Sequence, residues 1–320
     1  MNNVARIREG KAVLRHTRPT SNRAVRVEVA AHFAKGPRLS RLTPYLYILP
    51  SFILFMIFVF YPFAKTIYLS LHTTNPNGAI VAFEGFHNYV TTLTNPDFLF
   101  SLQVTLQFAL IVVIGSILMG LITGILANEA FPARGLIRTI YAMPIAVSSA
   151  CISVIMVFIM HPQLGILNHI LGTNIKWLTG VRYALGSVSG VTIWMNVGLN
   201  FIFVIAALQS VNQTLYEACA IEGAGFFRKH FHVTIPSITP TLFFLLIINV
   251  IGSFQAFAQI RLLTDGGPGK FTQVIVYTIY NEAFTYNRMG IASTQSVILF
   301  AIIFIMTVLQ FRLEKKVTYG

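Results

Sequence analysis

The side chains that could do chemistry in the apolar stretches of this chain are amides and hydroxyls. They occur as pairs whose members are four residues apart, a spacing that places both members on one face of a helix. Neutral donors and acceptors of this kind suit hydrogen bonds between packed helices, or a hydrated path for a solute rich in hydroxyl groups. The pairs are Asn196 with Asn200, Asn249 with Ser253, and Gln255 with Gln259.

Histidines and carboxylates do not form the patterns that catalytic or metal sites need. His161 and His169 are eight residues apart, and His230 and His232 lie near Glu222, but neither pair has a metal-site spacing such as H-E-x-x-H. A membrane-embedded enzyme would need a nucleophile or metal ligands with a base within reach. We therefore predict that the chain is not an enzyme and has neither catalytic nor metal-binding residues.

A phosphate-binding loop is also missing. Gly269 and Lys270 are followed by Phe271, whereas the motif requires Ser or Thr there and a Gly five residues before Gly269. We therefore expect that the chain cannot hydrolyse ATP itself and binds no cofactor.

The composition places these groups in a membrane. The chain of 320 residues is 55% hydrophobic and only 10% charged, with a mean hydropathy of +0.70, outside the range of soluble domains. A spanning helix needs roughly 20 mainly apolar residues. This predicts an all-α, polytopic bundle of six membrane-spanning helices at residues 45–71, 104–127, 138–160, 187–210, 240–261 and 291–311.

Lysine and arginine are distributed unevenly between the two ends of these spans. Ten of the 23 lie in the first 43 residues, and the tails and loops on that side of the bundle carry 17 in total, against 5 on the opposite side. The positive-inside rule then places both termini in the cytoplasm. The net charge of +13 is concentrated in a basic tail, residues 1–43, so we expect contact with anionic lipid and not with nucleic acid. Residues 44–320 form one membrane domain.

Ionisable side chains are almost absent from the six predicted spans. Only Lys65, Arg138 and Arg261 fall inside them, near the edges. Ion-coupled carriers usually place ionisable groups in the membrane. The sequence therefore disfavours a proton-coupled carrier, and it argues less strongly against sodium, which carbonyl and hydroxyl oxygens can bind.

A short polar segment, residues 214–236, interrupts the apolar pattern. Thr214 followed three residues later by Glu217 is a capping box, which predicts a helix that starts at Leu215. Gly223 suits a chain reversal at the end of that helix. A second short helix is predicted from residue 226 to 231, and Pro236 should restrict the residue before it and mark the entry to the fifth span. We call residues 214–236 the platform.

The platform resembles the EAA loop of the inner-membrane permeases of ABC importers. That loop reads E-A-A, three residues, G, nine residues, I-x-L-P. In this chain Cys219 replaces the second alanine of E-A-A, and Val233 and Ile235 replace the isoleucine and leucine. The matching positions have the same spacing: Glu217, Ala218, Cys219, Gly223, Val233, Ile235 and Pro236.

Further segments are similar to carbohydrate-uptake permeases, and more specifically to the A-type subunit of sugar and sn-glycerol-3-phosphate importers. The resemblance covers nearly everything after residue 40, and the long basic tail is the chief departure. The segments are YPFAKTIYLSL (61–71), FEGFHNYV (83–90), GLNFIFVIAALQSV (198–211), RLLTDGGPG (261–269) and QFRLEKK (310–316).

This resemblance implies a function and a set of partners. The chain would be a multi-pass subunit of the bacterial plasma membrane, paired with a sister permease, two cytoplasmic ATPase subunits that hold ATP and magnesium, and an extracellular solute-binding protein. The solute would be a sugar or oligosaccharide, with sn-glycerol-3-phosphate or a glycerophosphodiester as the alternative. The residues implied in coupling to the ATPase are Glu217, Ala218, Cys219, Glu222, Gly223, Phe231, Ile235 and Pro236.

Overall fold

The structure, a computed structural model, describes residues 43–129 and 134–318. The basic tail predicted for residues 1–43 lies outside the described residues, except for Thr43 at the start of the first helix. The α-helices of the described residues are α1 (Thr43–Phe55), α2 (Tyr61–Ser70), α3 (His87–Thr94), α4 (Pro96–Asn128), α5 (Arg134–Ala142), α6 (Ser149–Ile159), α7 (Ile166–Leu171), α8 (Ala184–Ser210), α9 (Gln213–Ile221), α10 (Phe226–Lys229), α11 (Ile235–Phe254), α12 (Ala258–Leu263), α13 (Ile275–Tyr280) and α14 (Met289–Thr318).

Π-helical turns at Met56–Phe60, His230–Thr234 and Asn281–Thr285 and a 3₁₀ turn at Met143–Ala146 join some of these helices. Five helices of the described ranges are long and apolar enough to cross a membrane, and one bent helix pair would make a sixth span. These five helices are Pro44–Ser70, Pro96–Asn128, Ala184–Ser210, Phe226–Phe254 and Met289–Lys315. Four of the predicted spans, all except the third and the fifth, overlap these helices over nearly their whole length.

The third predicted span, residues 138–160, is not one continuous helix. It consists of the segments Gly135–Ala146 and Ser149–Ile159, which meet at an angle of 104°. Val147 and Ser148 between them are extended, and the Ser148 hydroxyl accepts a hydrogen bond from the backbone N–H of Cys151 at 3.3 Å, which caps the second helix. Hydropathy alone missed the break because the residues on both sides of it are apolar.

The fifth predicted span, residues 240–261, is wrong at both ends. The helix begins at Phe226, inside the platform, and ends at Phe254. Pro236 does not interrupt it: Ile235 keeps helical angles (φ −60°, ψ −48°), and its N–H donates to His230 five residues earlier. This wider π turn accommodates the proline ring, which in a regular α-helix would collide with the carbonyl four residues earlier.

The bundle is built around α4. Asn95 starts this helix, because its side chain accepts hydrogen bonds from the N–H groups of Asp97 and Phe98 at 2.8 and 3.4 Å, and Pro96 occupies the first turn. Beyond this cap, α4 packs most extensively against α8 and also against α11. Its buried side chains enter the cores on both sides, with Phe108 and Val112 in one cluster and Ala109 and Val113 in another.

Glycines allow the close approach of α4 to α8. A Cβ atom on Gly120 would lie 2.4 Å from the Cβ of Asn200, and one on Gly124 would lie 2.5 Å from the side chain of Val204. Two glycines four residues apart share one helix face, and small residues at this spacing let membrane helices approach closely. The close packing between these two helices therefore requires glycine at positions 120 and 124.

The fold is not wholly helical. Strands β1 (His72–Thr74) and β2 (Ile80–Phe83) form an antiparallel hairpin, with His72 opposite Phe83 and a bulge at Thr73/Thr74. The Asn75 side chain accepts a hydrogen bond from the N–H of Ala79 at 2.8 Å, and Gly78 adopts φ +79° in the turn. The prediction of an all-α fold is wrong for this segment, whose short strands gave no span-length signal.

Asn168 holds the loop between α6 and α8 together. Its amide donates to the carbonyls of Pro162 and Ile175, both at 2.9 Å, and its carbonyl accepts from Thr173 at 3.1 Å and from the Trp177 indole at 2.8 Å. The side chain is buried and uses both its donors and its acceptor.

Replacing Asn168 by aspartate should break the two hydrogen bonds that its amide donates and destabilise this loop. The carboxylate would face two carbonyl oxygens without a donor, which costs about 1–3 kcal/mol, or more for a charged group. We expect a red-shifted, more quenchable Trp177 emission in a Trp194→Phe background and a lower melting temperature. Asn174→Asp makes the same chemical change at an exposed position of the loop and should leave both unchanged. Equal shifts in the two variants would contradict the role of Asn168.

Candidate functional site

The first helix of the platform, α9, is capped by a residue that precedes the predicted cap. Asn212 is the N-cap, and its side chain accepts a hydrogen bond from the N–H of Thr214 at 3.0 Å. The helix starts at Gln213, so the predicted capping box of Thr214 and Glu217, with a start at Leu215, is wrong by two residues. Glu217 is instead an exposed side chain in the middle of the helix.

The chain reverses at Gly223, as predicted. Gly223 has φ +70°, and its N–H donates to Ala220 at 3.1 Å, while the N–H of Ala224 donates to Cys219 at 3.0 Å. These two bonds with a left-handed residue between them form a Schellman motif, which satisfies the last carbonyls of α9. Gly225 then adopts extended angles and begins the next helix at Phe226.

The platform exposes much of its surface. Glu217, Ala218, Glu222, Gly223, Phe231 and Pro236 of the predicted coupling residues are exposed, and Cys219 and Ile235 are half-buried. Large apolar side chains lie beside them: Ile221 is 88% exposed, Phe227 74% and Phe231 64%. Exposed apolar side chains of this kind mark contact with another protein or with a membrane.

Hydrogen bonds hold the platform in place. The Tyr216 hydroxyl of α9 and the Nδ1 atom of His230 both contact the Thr234 hydroxyl, at 3.2 and 2.9 Å. Thr234 is fully buried, and it joins the first platform helix to the π turn that leads into α11. The ion pair between Lys229 and Glu129, at 2.7 Å, adds a link to the end of α4. Sequence reasoning missed Glu129, because nothing in its local pattern indicates a partner 100 residues away.

The structure brings four of the predicted path residues together. The amides of Asn200 and Asn249 exchange hydrogen bonds, at 3.3 Å from Asn200 and 2.8 Å from Asn249, and both side chains are buried. Asn196 lies one turn before Asn200 and donates to the Ser116 hydroxyl at 3.4 Å, while Ser253 donates to the carbonyl of Asn249 at 2.7 Å. These bonds join α4, α8 and α11, which is the packing role that the sequence allowed as one of two interpretations.

Gln255 and Gln259 do not share a helix face. Helix α11 ends at Phe254, and α12 begins at Ala258, so a break lies between the two glutamines. Gln255 is exposed and Gln259 is half-buried. The shared face predicted for this pair is therefore wrong, because the apolar stretch contains two helices and not one.

An aromatic cluster with one cation follows this break. The ring of Tyr280 lies 5.0 Å from that of Phe257, and the Arg261 guanidinium lies 5.8 Å from the Tyr280 ring centre. Arg261 also pairs with Asp265, which accepts a hydrogen bond from the Tyr277 hydroxyl at 2.6 Å. The Tyr277 bond, and then the one from Arg261, hold the pKa of the Asp265 carboxyl below its usual range. The positive charge of Arg261 is thus matched by a neighbouring carboxylate.

Comparison with known proteins assigns this arrangement to a family. The model of the binding-protein-dependent transport system inner membrane component matches residues 116–319, which include the platform and the interior amides. The chain belongs to this family. The permease prediction made from the platform spacing is therefore confirmed, and the chain is an integral inner-membrane component of an ABC importer.

Curated relatives match the permease over nearly their full length. The sn-glycerol-3-phosphate transport system permease protein UgpA of Agrobacterium fabrum is 34% identical over 286 residues, covering 88% of this chain and 98% of the relative. The protein of the same name from Escherichia coli is 33% identical over 285 residues, covering 88% and 97%.

A solved structure shares the fold of the permease. A chain of the bacterial alginate ABC transporter, crystallised in complex with an alginate pentasaccharide-bound periplasmic protein, has a TM-score of 0.77 and 22% identity, covering 88% of this chain and 96% of that one. The inward-facing MetNI methionine ABC transporter is a more distant match, with a TM-score of 0.52 and 17% identity over 68% of this chain. The permease therefore has the fold of ABC importer membrane subunits.

The amide pair of the permease can be tested by a double-mutant cycle. Asn200→Leu and Asn249→Leu each leave one buried amide without its partner, whereas the double variant removes both groups. We expect a coupling energy of about 0.6 kcal/mol and at most about 1.7 kcal/mol, the range measured for hydrogen bonds between membrane helices. Melting temperatures of the purified permease in detergent would measure it. Additive losses would mean that the two amides do not stabilise each other.

Proposed function

We propose that the platform is the surface through which this permease is driven by ATPase subunits. The observation that carries the proposal is the exposed geometry of residues 214–236. The short helix α9 is closed by a Schellman turn, and Ile221, Phe227 and Phe231 are exposed on the platform surface. A lever needs a stiff element that protrudes from the bundle, and α10 continues through a π turn directly into the fifth span. Force applied to the platform would therefore reach the spanning helix without an intervening loop.

The proposed coupling residues are Glu217, Ala218, Cys219, Glu222, Gly223, Phe231, Ile235 and Pro236. Ala218 lets a partner surface approach the exposed side of α9 closely. Glu217 and Glu222 supply charges that a basic partner would recognise, because both are exposed. Gly223 sets the angle between the two platform helices.

The orientation follows from the same proposal. The bent pair Gly135–Ala146 and Ser149–Ile159 would count as one span, which makes six crossings and puts both termini on one side. Lysine and arginine then favour the cytoplasm for the termini and the platform. ATP and magnesium would be bound by the ATPase subunits, which are cytoplasmic, while this chain binds neither and catalyses no reaction.

The proposed assembly contains this chain, a sister permease, two ATPase subunits and an external solute-binding protein. The alginate transporter of similar fold was solved with its periplasmic protein, which supports a binding-protein partner. Lipid would cover much of the outer surface, where Leu110, Phe158 and Phe304 are more than half exposed.

The proposed solute is a neutral carbohydrate. The path would be lined by uncharged groups: Asn196, Asn200, Asn249, Ser253, Gln255 and Gln259. Amide and hydroxyl groups of this kind can both donate to and accept from sugar hydroxyls. Asn200, Asn249 and Ser253 are buried and bonded to one another or to backbone. The members of the set that solvent can reach are Asn196, Gln255 and Gln259.

A second candidate is sn-glycerol-3-phosphate or a glycerophosphodiester. The observation that favours it is the identity of the curated relatives, at 32–34% over 88% of this chain. A phosphate would call for an unpaired cation along the path. Arg261, two residues after Gln259, is bound to Asp265, so its charge is already matched by a carboxylate.

Reconstitution would test both the role of the ATPase subunits and the choice of solute. The chain is expressed together with a sister permease, an ATPase and a solute-binding protein from the same organism. The complex is placed in proteoliposomes, and uptake of maltotriose and sn-glycerol-3-phosphate is followed with and without ATP. We expect ATP-dependent uptake of the neutral sugar. Uptake of the phosphate alone would favour the second candidate, while uptake by the isolated chain under an ion gradient would make it a secondary carrier and overturn the ATPase role.

A further inference from the structure

Two opposite charges meet where the second spanning helix ends beside the platform. Lys229, in the first turn of the helix that begins at Phe226, donates to the Glu129 carboxylate at 2.7 Å. Glu129 directly follows α4, whose last residue is Asn128. The pair therefore links the platform to the central helix of the bundle across 100 positions of sequence.

The surroundings hold both charges in place. The Lys229 ammonium lies 5.9 Å from the ring centre of Tyr216 and 5.8 Å from that of Phe226, both of which belong to the platform. The Glu129 carboxylate also lies 3.6 Å from Nε2 of His230, a buried nitrogen that has no hydrogen-bond partner among the described residues. The rings of Tyr216 and Phe226 thus hold the Lys229 ammonium against the platform, and its charge binds it to Glu129 at the end of α4.

Both charges have the wrong sign for the helix ends on which they lie. The C-terminal end of a helix carries a partial negative charge and its N-terminal end a partial positive charge. Glu129 after α4 and Lys229 in the first turn of the helix that begins at Phe226 therefore oppose the two dipoles. Neither residue therefore stabilises its own helix. The contact between them offsets these two unfavourable interactions.

We propose that the Glu129–Lys229 ion pair passes movement of the platform to α4, so that these two are positioning residues for coupling. The inference rests on the proposed function, in which ATPase subunits move the platform. Helix α4 packs along α8 and against α11, so a displacement at its end is shared by the helices that carry the buried amides. The side chains of Lys229 and Glu129 are 28% and 46% exposed, so the contact is weak enough to form and break within a transport cycle.

Charge neutralisation and charge exchange would test the pair in the assembled importer. The variants are Glu129→Gln, Lys229→Gln, and the double exchange Glu129→Lys with Lys229→Glu. The matched control is the pair of Asp97 and Lys270, 2.6 Å apart and more exposed, at the other end of α4, neutralised by Asp97→Asn and Lys270→Gln. The readout is the ratio of solute uptake to ATP hydrolysis in proteoliposomes, with whichever of maltotriose and sn-glycerol-3-phosphate the wild type carries.

Each single neutralisation should lower this ratio about two- to five-fold, the effect of losing a partly exposed ion pair, and the double exchange should restore it. The melting temperature of the complex should change little in the single variants, because removing each charge also removes its unfavourable interaction with a helix dipole. The control variants should retain the wild-type ratio. A purely structural pair would instead lower the melting temperature and leave the ratio of the surviving protein unchanged.

Co-purification of the ATPase subunits distinguishes a failure of the proposed function from a failure of the ion-pair role. If the subunits do not co-purify with the wild-type permease, the proposed function itself fails. If they co-purify with all variants, and the ratio either stays at the wild-type value in the single variants or is not restored by the double exchange, only the role of the Glu129–Lys229 pair is overturned.

Discussion

Replacement of Gly223 by valine is expected to lower ATP-dependent uptake about ten-fold or more while the permease still inserts and folds. Gly223 has φ +70°, a conformation that costs a residue with a side chain about 1–2 kcal/mol, and a β-branched residue more. A Cβ atom there would meet no atom within 4 Å, so the strain is purely in the backbone of the turn. The valine variant would relieve it by opening the Schellman turn, which changes the angle between the platform helices.

Two variants control for side-chain bulk. Gly225→Val adds the same side chain two residues later, where the backbone is extended (φ −69°, ψ 172°) and equally free of neighbours, so uptake should remain near wild type. Gly223→Asn should lose less than Gly223→Val, because asparagine tolerates the left-handed region. Uptake, ATP hydrolysis and membrane yield are measured together. Full uptake by Gly223→Val would contradict the coupling role of the turn.

The second large effect is expected for Gly120→Val in the interior of the bundle. Its Cβ atom would lie 2.4 Å from the Cβ of Asn200 and 3.1 Å from the backbone carbon of that residue. Because backbone cannot rotate away as a side chain can, α4 and α8 would have to separate. Overpacking of this kind costs about 1–3 kcal/mol, and the separation would also break the amide pair of Asn200 and Asn249.

Melting temperature and the yield of monodisperse protein in detergent would measure this loss. Gly252→Val is the matched control, since Gly252 lies in α11 with nothing within 4 Å of the added Cβ position. We expect the control to melt within a few degrees of wild type and Gly120→Val to melt far lower or not to accumulate. Equal behaviour of the two variants would falsify the close packing of α4 on α8.

Much of the architecture is readable from local sequence. Apolar stretches about 20 residues long predicted the spanning helices, because a helix in lipid must satisfy its backbone internally and expose apolar side chains. The chain reversal at Gly223 and the family were also predictable, since a glycine at a helix end and the spacing of residues 217–236 are properties of adjacent positions. Helix ends were harder to predict. Asn212 and not Thr214 caps α9, and the sequence offers both residues, two positions apart, as possible caps.

Breaks inside apolar stretches were not predictable by composition. The stretch 138–160 contains a bend of 104°, and 240–261 contains the end of α11 and the start of α12. At the first break the flanking residues are equally apolar, so hydropathy carries no signal. At the second break Ser253, Gln255 and Gln259 are polar, but hydropathy averaged over the length of a span does not mark where one helix ends and the next begins. The π turn at His230–Thr234 is a similar case, because it lets a helix continue through Pro236, where the residue alone predicts an entry point.

The sequence by itself determined that this chain is a membrane bundle whose apolar pattern is interrupted by the platform, because span length, charge bias and motif spacing are local or additive properties. Only the tertiary structure decided which polar groups meet. It pairs Asn200 with Asn249 and Lys229 with Glu129, and it separates Gln255 from Gln259. Such contacts depend on the rotation and approach of helices far apart in the chain, which here are set by glycines such as Gly120 on the facing surfaces.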